Sequence, residues 1–169
     1  FGYAVPATVL AIGAITVFSW FTNHFNDHFM GFILPSVSCV IFGLSVRFFI
    51  IGYNYLKCSF SNINRDFDHA AIICGASNSR LFKDIHLPLI YKGLCAGSLL
   101  VFIDSLKEMP ITLMTRPIGW DTLAVKVFEY TSESEWEMAV YPSMILSLLA
   151  FVSLICTHHF LEKDVSNHS

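Results

Sequence analysis

Two carboxylates four residues apart, Asp104 and Glu108, close an apolar run that begins at Pro88. Hard cations prefer oxygen ligands, so such a pair at the mouth of a membrane helix could guide a cation inward. With a rise of about 1.5 Å per residue from Pro88, Asp104 lies roughly 24 Å and Glu108 roughly 30 Å along, near the outer end of a hydrocarbon core about 30 Å thick. Their i, i+4 spacing places both on one helix face. The competing reading pairs Asp104 with Lys107 and leaves Glu108 solvated in the mouth. Arg47 sits inside another apolar run, where a central arginine costs about 2.5 to 3.5 kcal/mol. It therefore needs structural pairing, a path for snorkelling toward the cytoplasm, or a place lining a polar pathway.

The histidines give no firm metal site. His24 and His28 are four apart with Asp27 between them, but no third ligand stands at a firm spacing, and the group reads as the polar tip of a hairpin. His158 and His159 mark an interfacial boundary, and Trp120, Trp136 and Tyr141 read as interface anchors. No GxxxxGK[ST] phosphate loop, GxSxG elbow or HExxH helix occurs, so the chain presents no ATP-hydrolysing or other catalytic constellation. Cys39, Cys58, Cys74, Cys95 and Cys156 form no CxxC pair and read as small apolar residues. A net charge of −3 supplies no basic footprint for nucleic acid.

The elements that position these groups are membrane helices. Of 169 residues, 54% are hydrophobic and 14% charged, against about 25% charged in a soluble domain, and the mean hydropathy is +0.60. Four apolar stretches, Ala4 to Thr22, Gly31 to Leu56, Pro88 to about Leu106 and Met138 to His159, are each long enough to cross a bilayer. The first two, separated by Asn23 to Met30, predict an antiparallel hairpin. Residues 57–92 carry Lys57, Arg65, Arg80, Lys83 and Lys92 against Asp66, Asp68 and Asp84, a net +2 that predicts a cytoplasmic loop. Residues 107–137 carry Lys107, Arg116 and Lys126 against Glu108, Asp121, Glu129, Glu133, Glu135 and Glu137, a net −3 that predicts an external loop segment. Phe1 and the tail from Leu161 to Ser169 then fall in the cytoplasm. No basic region precedes the first apolar run, which argues against a secretory signal and for a chain that is part of a longer protein.

The cytoplasmic segment 57–87 has internal order. In DHAAIICGASNSRLFKDIHLP, Asp68 to Pro88, Asp66 or Asp68 can cap a first short helix whose Ala70 and Ala71 offer a side-chain-poor surface. Gly75 permits a turn, Ser77 or Asn78 can cap a second helix, and Leu81, Phe82 and Ile85 recur at helical spacing along it. Pro88 suits the first turn of the next helix. Such a knob fits either a groove on a soluble partner or a membrane surface.

The order Ala70-Ala71, Gly75, Ile85-x-Leu87-Pro88 resembles the EAA loop of binding-protein-dependent ABC importer permeases. The resemblance implies an all-α polytopic membrane bundle of the MetI-like permease fold. It also implies that His69, Ala70, Ala71, Gly75, Ile85, Leu87 and Pro88 couple the permease to a cytoplasmic ABC ATPase. The family's glutamate position holds His69 here, with an acid only at neighbouring Asp68. Residues Gly2 to Gly13, Val46 to Ile50 and Phe102 to Ala139, the last including FIDSLKEMPITLMTRPIGWDTLAVKVFEY, are similar to the ferric-iron branch. Those permeases fuse two halves of about six helices, and this chain is similar to helices three to six of the second half. An external solute-binding protein, the missing remainder of the permease and a bacterial inner membrane are implied with it. ATP and magnesium are expected on the partner ATPase and no cofactor on this chain. Relatives for thiamine, molybdate, sulfate or polyamines share the loop but are less similar from Lys107 to Ala124. A channel or scaffold without an ATPase is the alternative from another class.

Overall fold

Among residues 4–24 and 37–165, which the computed structural model describes, every regular element is helical. Chain order gives α1 (Ala7–His24), α2 (Val37–Ser61), α3 (Arg65–Ile73), α4 (Asn78–Leu81), a π-helical turn (Phe82–His86), α5 (Leu87–Leu106), α6 (Pro110–Thr115), α7 (Leu123–Ser132) and α8 (Trp136–Val165). The hairpin tip, with Asp27 and His28, lies outside the described residues.

The four expected spans appear as four apolar helices of unequal reach. Among the described residues, only α2 and the Trp136–His158 part of α8 are long and apolar enough alone. The run Asn78–Leu106 bends by 54° between Tyr91 and Gly93, so it makes a third span only as a bent pair. The apolar part of α1, Ala7–Phe21, falls short of a full span, because fifteen residues rise only about 22 Å. The expectation of a helix running unbroken from Pro88 to Glu108 also fails, since α5 stops at Leu106. Pro110 explains the stop: it has no N–H to give the Leu106 carbonyl, and its ring would clash there. That signal was legible in the sequence.

Contacts divide the chain into two compact units. The first takes its described residues from 4–50 and 103–152. Its core includes Ala11 and Ala14 of α1, Cys39, Val40 and Phe48 of α2, Ile111 of α6 and Val125 of α7. Helix α6 packs on α1, and Gly43 of α2 lies so close to α6 that a Cβ there would stand 2.8 Å from Ile111 Cγ2. The buried Thr115 hydroxyl donates to the Ile111 carbonyl at 2.7 Å, which lets a polar side chain sit in this core without an unmet donor.

The second unit takes its described residues from 51–102 and 153–165. It holds the end of α2, the segment α3 to α4, the π-turn and most of α5. Here a Cβ on Gly93 would overlap the Ser59 side chain, and one on Gly97 would stand 2.8 Å from Tyr55 Cβ. Glycine at this i, i+4 spacing brings α5 against α2, the small-residue approach that membrane helices use to gain packing without a hydrophobic driving force.

Candidate functional site

The segment predicted as a knob begins with a cap that differs from the expected one. Asn64, not Asp66 or Asp68, caps α3, accepting the Asp66 N–H on Oδ1 at 3.1 Å. The two aspartates occupy the first turn instead, where their charge complements the helix N-terminus. Gly75 has φ +80°, the left-handed value a turn here requires, with nothing within 4 Å of its Cβ position. Ser77 caps α4, accepting the Arg80 N–H at 3.4 Å.

The second helix of the knob is shorter than predicted. After four residues it widens into the π-turn, where the Leu87 N–H reaches back to the Phe82 carbonyl. Pro88 gives the reason, since it cannot donate to the Asp84 carbonyl and its ring crowds that group. A wider turn keeps the chain helical through the proline and into α5.

Along this knob His69, Ala70 and Gly75 are exposed, Ala71 is buried, Ile85 is intermediate, and Leu87 and Pro88 are exposed. Ile72, Ile73 and Phe82 are exposed apolar side chains, Ile73 at 85%. Inside, His86 Nε2 lies 3.0 Å from Asp68 Oδ1, and the Phe60 ring of α2 is 5.9 Å from the His86 ring. Sequence reading gave His86 no role and read Asp68 as a cap, a loop charge and the acid beside His69, because the meeting of the two depends on how the knob folds back.

The carboxylate pair is taken apart. Asp104 is 2.8 Å from Lys107 Nζ, the competing reading of that residue. Glu108 lies beyond the end of α5, so helical spacing does not align it with Asp104, and at 8% exposure it is not solvated. It pairs instead with Arg47, Nε to Oε2 at 3.1 Å. Arg47 also donates to the Val5 carbonyl at 3.4 Å, and Glu108 Oε1 accepts the Ile111 N–H at 3.3 Å in the first turn of α6. Arg47 is thus structurally paired rather than snorkelled, and one ion pair ties α2 to α6 and to the residues before α1.

Residues 107–137 hold a second charged cluster. Arg116 pairs with Asp121 and, at 2.6 Å, with Glu129. Lys126 pairs with Asp121 at 2.7 Å and Glu129 at 2.8 Å. This closes the connection from α6 to α7, in which Gly119 has φ +81°, and leaves Ile118 and Trp120 exposed at its tip. Hydrogen bonds from Lys126 and then Arg116 hold the Glu129 carboxyl below its ordinary value of 4.5. A carboxyl lowered on folding contributes stability that is full above its unfolded value and is lost as pH falls through the folded one. Acid titration from about pH 5 downward should therefore loosen this connection. Exchange of the α7 amides should show it, and Glu129→Gln should flatten that limb of the profile; an unchanged limb in the variant would remove Glu129 as its source.

Of the remaining candidates, His24 stacks on Trp20 at 5.1 Å and 12°, and Trp120, Trp136 and Tyr141 are exposed. Among the described residues no three His, Cys, Asp or Glu side chains are placed to hold a metal.

A family model described as binding-protein-dependent transport system inner membrane component matches residues 1–166. The Fe(3+)-transport system permease protein FbpB 2 of Haemophilus influenzae is 24% identical over 161 residues, 95% of this chain and 30% of that protein. The molybdenum transport system permease protein ModB of Haemophilus influenzae is 29% identical over 80% of this chain and 59% of its own length. A putative molybdenum transport system permease protein, YvgM of Bacillus subtilis, is 38% identical over 66 residues, 39% of this chain and 29% of its own length. The chain thus spans less than two thirds of each of these relatives.

Proposed function

We propose, since this chain belongs to the family of binding-protein-dependent transport system inner membrane components, that it forms part of the permease of an ATP-driven importer. Its place is the bacterial inner membrane, and its solute is ferric iron delivered by an external binding protein. The observation that carries the reading is the knob itself: a capped helix, a left-handed glycine and a π-turn that leads directly into α5, with Ile72, Ile73 and Phe82 exposed on it. Exposed apolar side chains on a short, ordered projection are what a cleft on a soluble partner would bury. The chain has no phosphate loop, so ATP and its magnesium belong to the partner ATPase. ATP binding closes two ATPase subunits, the knob moves with them, and α5 rearranges to open the pathway.

Iron is favoured over an oxyanion by the extent of the match, which covers 95% of the chain for the Fe(3+) relative and 80% and 39% for the molybdenum relatives. The higher identities of the molybdenum relatives, 29% and 38% against 24%, favour molybdate as the second reading. Uptake of each labelled solute by vesicles carrying the full-length transporter decides between them.

Docking is tested by recovery of the ATPase with the tagged full-length permease from solubilised membranes. Gly75→Leu adds a side chain to the open space at the turn and strains its left-handed backbone, and Ile73→Asp puts a charge on the apolar face. Each should lower recovery roughly tenfold or more, the effect of spoiling an interface anchor, with membrane insertion unchanged. Recovery equal to wild type in both would count against a docking role.

A further inference from the structure

The contact between Asp68 and His86 bridges the two ends of the knob. Asp68 stands in the first turn of α3 and His86 closes the π-turn before α5. From one to the other the chain runs through the end of the nine-residue α3, a glycine turn with open space around it, the four-residue α4 and the π-turn. Each of these is a soft joint: a short helix is marginal without tertiary support, glycine resists little bending, and the π-turn departs from the regular helical ladder. Apart from Ala71, no residue from 65 to 86 whose side chain is described is buried, so apolar packing does little to stiffen the segment.

The Asp68–His86 pair crosses all three joints at 3.0 Å, with the side chains 34% and 16% exposed. It is also backed from α2, where Phe60 lies against the His86 ring. His86 Nδ1 and Asp68 Oδ1 are both buried without a hydrogen-bond partner, so what joins the two side chains is the 3.0 Å polar approach of Nε2 to Oδ1. Ile73, five residues beyond Asp68, lies about 140° around α3 from it, so the brace and the most exposed apolar side chain occupy different faces.

We propose that Asp68 and His86 are positioning residues that brace the knob, so that displacement of its exposed face is delivered to the start of α5 instead of being absorbed at Gly75 and the π-turn. This rests on the docking reading above, and adds to it two residues that transmit rather than bind.

The experiment uses the full-length permease reconstituted in vesicles with its ATPase and solute-binding protein, and with radiolabelled ferric iron and radiolabelled molybdate as the two probes. His86→Phe keeps a ring against Phe60 but removes the partner of Asp68, and Asp68→Asn removes the charge at nearly constant size. In both, ATPase recovery should stay within about twofold of wild type while solute moved per ATP hydrolysed falls about tenfold, the scale of one lost interaction with a charged group. The exchange Asp68→His with His86→Asp should restore most of that ratio. An unchanged ratio in the single variants would overturn the brace, as would loss of ATPase recovery, since the residues would then be docking contacts. Low folded yield in both single variants, unrelieved by the exchange, would also overturn it. Failure of the wild-type permease to retain the ATPase would instead refute the docking reading.

Discussion

Glu108→Gln should destabilise the first unit by about 3 kcal/mol, because it breaks a buried pair and leaves the guanidinium of Arg47 without its anion. Glu108 is 8% and Arg47 19% exposed at a 3.1 Å contact, and Arg47 lies within a helix apolar enough to cross a membrane. The Val5 carbonyl still accepts from Arg47, but a neutral acceptor replaces little of a carboxylate in a poorly solvated site. Replacing both partners, as Arg47→Met with Glu108→Leu, should cost far less, since the charges and their desolvation go together. Thermal unfolding of the detergent-solubilised protein reads both effects. Transport per folded transporter separates stability from a role in the solute pathway: normal stability with lost uptake in Glu108→Gln would return the carboxylate to the pathway, and lost stability with normal uptake per folded molecule would assign it to the fold.

The approach of α5 to α2 should be as sensitive. Gly93→Ala puts a methyl group onto Ser59, whose Cβ would be 2.9 Å away and whose hydroxyl is fixed by donating to the Tyr55 carbonyl at 2.9 Å. Because Ser59 Cβ is attached to the α2 backbone, the helices must separate, at a cost of about 2 kcal/mol. Gly97→Leu should cost at least that, since the obstacle is Tyr55 Cβ at 2.8 Å. Ser59→Gly alone should cost about 0.5 kcal/mol through helix propensity, yet combined with Gly93→Ala it should give less than the sum of the two. Additive losses in the melting temperature would mean that the two helices do not meet at this point.

These two sites show different degrees of legibility. Gly93 and Gly97 stand at the spacing that marks close helix approach, and a reading of periodicity alone passed over them. Arg47 and Glu108 were each identifiable as needing an explanation, but nothing local connects residues so distant in sequence. The shared helix face read for Asp104 and Glu108 assumed that α5 continued through Glu108, whereas α5 stops at Leu106.

The sequence by itself determined what local physics controls. Apolar run length marked the helices, Gly75 the turn, Ser77 or Asn78 the cap of α4 and Pro88 the entry to α5, because backbone sterics and nearby hydrogen bonds decide each within a few residues. Where two local donors or acceptors compete, as with Asn64 and Asp66, the outcome was less readable. Only the tertiary structure decided which distant side chains meet: Glu108 with Arg47, Asp68 with His86, and Glu129 with Arg116. An ion pair forms where packing brings two side chains within a few ångströms and excludes water, and that proximity is a property of the folded helices rather than of spacing along the chain.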